Sequence, residues 1–232
     1  IMRGGTFIDR GLITKTDFLK SVQTFNRALH GEAEKALQDR PAQFSHGALM
    51  DSIKDARSPQ LHRLALEYLP ISFGRRHGDP SRPWNHFEIK LKDNDGHRLL
   101  AYEGNWRDIF QNWEALSLSY PDFIPSMIAK FVNASTIDGY NPYRVSQDGI
   151  DWEVEDLEDP WSYIGYWGDH QIIYLLKFLE LSEAFYPGLL TELMIQPLFS
   201  YANVPYRLKP FDEMVKDPKN TVLYDEALAE QI

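Results

Sequence analysis

From Thr16 to about Leu37, apolar residues recur at three- and four-residue steps. Phe18, Val22, Phe25, Leu29 and Ala33 share one stripe, with Lys20, Glu32, Glu34 and Lys35 off it. The spacing predicts an amphipathic helix. A second helix is expected through Ala48–Ile53, broken near Pro59, resuming over Leu61, Leu64, Ala65 and Tyr68, and stopped by Pro70. Between Ile71 and Gly104 the period changes: Phe87, Ile89 and Leu91 alternate with Glu88, Lys90 and Lys92. Asp93-Asn94-Asp95-Gly96 then precedes Leu99–Tyr102, which predicts a β-hairpin inserted near residues 86–102.

Helical spacing returns with Trp106, Ile109, Phe110, Trp113 and Leu116, and again after Pro121 with Phe123, Ile124, Ile128, Phe131 and Val132. Residues 137–161 read as a long loop punctuated by Asp, Gly and Pro, a length that favours a binding surface. Asp169 is placed to cap a helix through Ile172, Ile173, Leu176 and Leu179, and Leu189–Tyr201 gives another, interrupted at Pro197. From Ala202 the chain turns polar. The expected fold is mainly α: an antiparallel α/α hairpin array with a small β-hairpin. One helical domain spans residues 1–201, and an extended polar tail spans 202–232. Roughly six or seven helices are too few to close a twelve-helix toroid, so an arc is expected.

Composition narrows the function. The chain has 232 residues, 43% apolar and 13% aromatic, which marks a folded globular protein. Lys and Arg number 24 against 34 Asp and Glu, a net charge of −10, which argues against a nucleic-acid partner. No apolar run reaches the roughly 18–20 residues of a membrane span, so no membrane partner is expected. Cysteine is absent, which excludes disulfides, thiolate zinc sites and cysteine nucleophiles. A leader-like start is not seen, and the cytoplasm is favoured over export. Ile1-Met2 is an unusual opening and points to a trimmed segment of a larger polypeptide.

All six tryptophans lie between Trp84 and Trp167, with six of the twelve tyrosines, so the middle third is where ligand chemistry is sought. The sharpest constellation opens a helix at Glu103-Gly104-Asn105-Trp106-Arg107-Asp108. Arg107, Gln111 and Glu114 fall at i, i+4 and i+7, Asp108 stands on an adjoining strip, and the apolar residues take the other side. Adjacent Arg and Asp offer fixed donors and acceptors for vicinal hydroxyls; ordinary surface charge is the plainer alternative. A second candidate is the run through Trp167, Asp169 and His170, where small residues let a ligand approach the backbone; Asp169 as a simple N-cap is its alternative. Arg75, Arg76 and His77 among glycines are candidates for phosphate, although the stretch matches neither the Walker spacing nor the dinucleotide fingerprint. Asp148–Asp159 holds seven acids in twelve residues but lacks the EF-hand order of ligands, and no His-Glu-x-x-His occurs, so no metal is expected.

The order of these motifs carries a resemblance. Gly104-Asn105-Trp106-Arg107-Asp108 through Gln111, then Asp138-Gly139, then Gly168-Asp169-His170 before an apolar helix, resembles the catalytic domain of cellobiose-phosphorylase-like glycoside phosphorylases, which are (α/α)6 toroids. The similarity runs roughly from Tyr102 to Leu181. It implies sugar-contacting roles for Arg107, Asp108 and Gln111 and, more weakly, for Asp169. Trp106, Trp167 and His170 complete the expected substrate-binding set. The family carries Asp where this chain has Asn112, and His170 replaces a second acid. Its general acid lies in a downstream Asp-Trp-Asn-Asp run, which has no counterpart after Trp167. Inverting cleavage needs a protonated carboxyl at the glycosidic oxygen, so Glu103, Asp151 and Glu153 are the substitutes to consider.

The expected function is therefore the sugar-binding portion of a glycoside hydrolase or phosphorylase acting on gluco-oligosaccharides. No cofactor is expected, with inorganic phosphate as the conceivable co-substrate. The competing class is a non-catalytic helical protein-interaction domain. A flat apolar patch would favour that class, and a concavity with exposed indoles beside polar groups would favour the sugar.

Overall fold

The computed structural model describes residues 5–72, 91–152, 158 and 168–232, with 168–171 described by their backbone alone. About half of the chain is helical, with ten helices and small two- and three-stranded sheets among the described residues.

The first helical group is α1 (Lys15–Phe25), α2 (His30–Ala36), α3 (His46–Ile53) and α4 (Pro59–Leu66). The single helix expected from Thr16 to Leu37 is broken in the middle. Asn26 leaves the helical region (φ −154°, ψ 90°), and its side-chain oxygen accepts from the Ala28 amide at 3.2 Å. Its amide also donates to Gln60 Oε1 at 2.7 Å, so a short polar side chain that competes with the backbone ends α1 and ties the break to α4. Ser45 caps α3 by accepting from the Ala48 amide at 3.2 Å, and Pro59 sits in the first turn of α4, where its missing N–H costs nothing. The stripe residues Phe18, Val22 and Ala33 close on Leu37, Leu49, Ile53, Leu61 and Ala65 in one dry core.

Around that group, β1 (Thr6–Phe7) pairs antiparallel with β4 (Ile71–Ser72), and β2 (Ile13–Thr14) with β3 (Gln43–Phe44). Gly5, just ahead of β1, has φ +93°, and a Cβ there would lie 2.5 Å from Ile71 Cγ2, so only glycine fits.

The second group is α5 (Trp106–Ser117), α6 (Ile124–Ala134) and α7 (Gly168–Phe185). Its core is aromatic: Phe110 packs at 4.6 Å from Trp106, 5.0 Å from Trp113, 4.9 Å from Phe131 and 6.1 Å from Phe178. The expected 137–161 loop contains structure instead. β5 (Glu103–Asn105), β6 (Arg144–Ser146) and β7 (Ile150–Asp151) form an antiparallel sheet that delivers the chain into α5. Of the expected 86–102 hairpin, the tip is present: the turn Asp93–Gly96 is closed by an isolated Lys92–Arg98 bridge, and residues 86–90 lie outside the described residues.

The two groups meet along α4 and α6. Asn133 Nδ2 donates to Glu67 Oε1 at 2.5 Å, and Leu66 joins Ala129, Leu193 and Leu198 in a small cluster under α8 (Leu189–Met194). Arg63 reaches Ser200 Oγ at 2.9 Å. Asp169 falls inside α7, at its second position, rather than ahead of it as a cap.

The segment expected as an extended polar tail folds back. β8 (Tyr206–Leu208) pairs with β9 (Val222–Tyr224), flanked by α9 (Phe211–Met214) and α10 (Glu226–Ala229). Tyr206 stacks on Trp152 with centroids 5.7 Å apart and rings 19° from parallel. Asp138 accepts from the Leu208 amide at 2.6 Å and from the Thr136 hydroxyl. Because this anchor is exposed, Asp138→Ala is expected to cost about 1 kcal/mol locally, read as roughly fivefold faster amide exchange at Leu208 with the global unfolding midpoint barely moved. No helix among the described residues is long and apolar enough to cross a membrane.

Candidate functional site

The opening turn of α5 is set by the sheet before it: the Trp106 amide donates to the Tyr143 carbonyl at 3.0 Å as β5 ends. This fixes which side of the helix faces inward. Arg107 and Asp108 pair with each other, Nε and Nη2 lying 3.4 and 3.2 Å from Asp108 Oδ1. Asp108 is 9% exposed, Arg107 is half-buried and Gln111, one turn on, is exposed. Glu114 at the end of the strip accepts from Lys177 of α7 at 3.0 Å. Asn112 has its own reason: its amide donates to the Gly5 carbonyl at 3.2 Å, a bond that an aspartate, which only accepts when ionised, would not make.

The aromatic expectation needs correction at Trp106. At 1% exposure, between Phe110 and Phe131, its ring belongs to the core and presents no face to a saccharide; Trp113, at 0%, is likewise interior. Helical spacing accounts for this, since positions 106, 109, 110 and 113 share the inward face.

The candidate acids Glu103 and Asp151 are brought together, but by a base. Arg144 Nη1 donates to Glu103 Oε1 at 2.6 Å, and its Nε and Nη2 reach Asp151 Oδ2 at 2.7 and 2.5 Å. Both carboxylates are thus held by one guanidinium. Glu153, Trp167 and the candidate phosphate group Arg75, Arg76 and His77 lie outside the described residues. Asp169 and His170 are placed only as backbone in the first turn of α7.

Asp93, Asp95 and His97 bring ligand-type atoms within 4.8 Å of one another, all of them exposed. Asp93 Oδ1 accepts from the Asp95 and His97 amides at 3.0 and 2.8 Å, so the cluster is the fabric of the hairpin turn. Those bonds, the His97 amide first, hold the Asp93 carboxyl below its ordinary range.

A cleft that sequence reasoning did not single out runs along the seam between the two helical groups. Its main chamber, of about 120 Å³, is lined by Asp17, Ser21 and Phe25 of α1, by Tyr68 after α4, and by Leu99–Ala101 and Gln147 from the other side. A smaller neighbouring chamber shares Ser21, Phe25, Tyr68 and Gln147 and reaches Tyr102 and Lys130. Burial acts to lower the Lys130 pKa, but the Tyr102 oxygen, to which its ammonium hydrogen-bonds, and the Glu67 carboxylate more than offset this and raise it. Burial pushes the Asp17 carboxyl up, against the pull of Arg98 and Lys20. No sequence period brings these residues together; a lysine and a tyrosine on inward helical and loop positions were the only signals available.

Residues 9–70 match the family model of glycoside hydrolase family 149 insertion domain 1. No curated protein matches the chain. The matched stretch is about a quarter of the 232 residues, and it supports a glycoside-hydrolase-related domain and a carbohydrate-active protein. Its limits coincide with a physical unit. Every buried member of the first core, from Ile13 to Tyr68, falls within it. The chain enters and leaves this matched unit through adjacent strands, β1 and β4, and the Ile8 amide donates to the Pro70 carbonyl at 3.1 Å. The unit supplies one wall of the seam cleft, through α1 and Tyr68.

Proposed function

We propose that this chain is the saccharide-binding portion of a glycoside hydrolase or phosphorylase acting on gluco-oligosaccharides, with its contact surface at the opening turn of α5. The observation that carries the reading is the preformed Arg107–Asp108 pair: the carboxylate is held at 9% exposure beside a half-buried guanidinium, with the exposed Gln111 amide one turn away. Donors and acceptors fixed before a ligand arrives lose little freedom on binding, and vicinal hydroxyls match their spacing. The family match at 9–70 supports the carbohydrate context. In the same reading the helices form an arc of a toroid-like array. Trp167, Asp169 and His170 add saccharide contacts, and Arg75, Arg76 and His77 receive inorganic phosphate as co-substrate. Trp106 takes no part.

Isothermal titration with gluco-oligosaccharides tests this. The exposed substitution Gln111→Ala and the half-buried Arg107→Ala are expected to weaken binding, the latter roughly 10- to 100-fold, as loss of a charge-assisted hydrogen bond does. Unchanged affinity in both variants would remove the site from α5. Release of a sugar phosphate only when phosphate is supplied would mark phosphorolysis. One observation favours the second reading, a helical protein-interaction domain: α7 exposes Ile172, Ile173 and Leu176 at 46, 42 and 53% on one side. Absence of any saccharide heat, for wild type and variants alike, would favour that reading.

A further inference from the structure

The seam cleft holds two polar atoms that have no hydrogen-bond partner among the described residues. The Tyr68 hydroxyl, on a residue 3% exposed, and Gln147 Oε1 are both buried, and both residues line the two chambers. A donor-acceptor group and an acceptor kept from water each cost about 1–3 kcal/mol unless something enters to meet them. The remaining walls say what that something is. Acidic Asp17 and Asp148 are opposed by Lys20 at the rim and by Lys130 in the neighbouring chamber, so an ion of either sign meets a like charge. A neutral molecule does not. Phe25 is 41% exposed at the rim and offers an apolar face, with Lys130 Nζ 5.4 Å from its ring centre. Ser21 and Thr24 add small hydroxyls beside it. The open chamber of about 120 Å³ is smaller than the roughly 150 Å³ cavity that accepts benzene, so it takes one edge of a sugar ring, with the rest of the ring at the mouth beside Phe25.

We propose that the seam cleft is a second ligand site, which binds one neutral polyhydroxylated ring, a free hexose or a terminal sugar unit, with Tyr68 and Gln147 hydrogen-bonding its hydroxyls and Phe25 packing on its C–H face. The ring lies between the matched unit and the remainder of the chain, so its binding bridges the two helical groups. The site stands on the cleft alone and does not depend on the α5 surface.

The test uses the full chain and D-glucose, titrated through the millimolar range expected for so small a ligand and followed by saturation-transfer NMR. The decisive variant is Tyr68→Phe, which removes an unpartnered hydroxyl and keeps the ring. The free variant is expected to melt at or above the wild-type temperature while glucose binding falls at least fivefold. Gln147→Leu is expected to weaken binding likewise, and Leu118→Ala, at an exposed position outside both surfaces, to leave it unchanged; measured in a Gln111→Ala background, the same losses separate this site from the α5 surface. Inorganic phosphate is expected to give no competition. Glucose bound with undiminished affinity by both Tyr68→Phe and Gln147→Leu, competition by phosphate, or no glucose binding by the wild type would each overturn the proposal.

Discussion

Phe110→Ala is expected to destabilise the protein by about 3–5 kcal/mol, the range for deleting a large aromatic side chain from a rigid core. Phe110 is 0% exposed and touches rings from three helices: Trp106 and Trp113 on its own, Phe131 on α6 and Phe178 on α7. Four aromatic neighbours that brace one another cannot collapse into the hole, because each is already held by its own backbone. Cavity and lost transfer energy therefore add. For a chain of this size the melting temperature is expected to fall by roughly 10 °C, and chemical denaturation should show a lower midpoint with an unchanged slope. Leu118→Ala, at an exposed position (61%), serves as the contrast, expected within about 0.5 kcal/mol of wild type.

The second large effect is acid destabilisation through His46. This residue opens α3, is 8% exposed, packs 4.9 Å from the Phe123 ring and lies with Nε2 3.3 Å from Ser126 Oγ on α6. Burial lowers its pKa from 6.5 to about 4, against the opposing pull of Asp122, and a position at a helix N-terminus further disfavours the imidazolium. The sign follows from proton counting. The unfolded chain takes up a proton near pH 6.5, whereas the folded protein refuses it until about pH 4. Stability from this group is complete above 6.5 and is lost progressively as the pH falls to about 4, on the order of 3 kcal/mol in all. Urea midpoints at pH 7 and pH 4 check it. His46→Gln should show a smaller drop over that interval, because carboxylate protonation remains while the histidine contribution is gone. An equal drop in both proteins would assign the acid sensitivity elsewhere.

How much of this could be read from the sequence depends on the length scale of the force involved. The helices α3, α4, α5 and α6 were visible because a 3.6-residue stripe of Leu, Ile, Phe and Trp is a local signature of burial, and Pro59 and Pro121 mark their starts. The Asp93–Gly96 turn was legible for the same reason: Asp93 binds amides two and four residues ahead of it. The break at Asn26 was not, because the polar side chain wins there through Gln60, 34 residues distant. Nor were β5, β6 and β7, whose two- and three-residue strands are too short to alternate and of which β5 pairs with a strand some forty positions away. At the candidate site, the Arg107–Asp108 pairing was foreseeable from adjacency. Trp106 was misjudged by chemistry that its position on the apolar face outweighs. The seam cleft required knowing that Tyr68 and Gln147, nearly eighty positions apart along the chain, share one hollow, which only tertiary packing supplies.

The close antiparallel strands at Thr6–Phe7 and Ile71–Ser72 have a consequence for ancestry. A segment whose two ends already touch can be gained or lost by recombination without stretching its host, because the gap left behind spans a single strand spacing. Lineages of this protein could therefore discard the whole four-helix module and keep the aromatic core intact, and what would vanish with it is one wall of the hollow beside Tyr68.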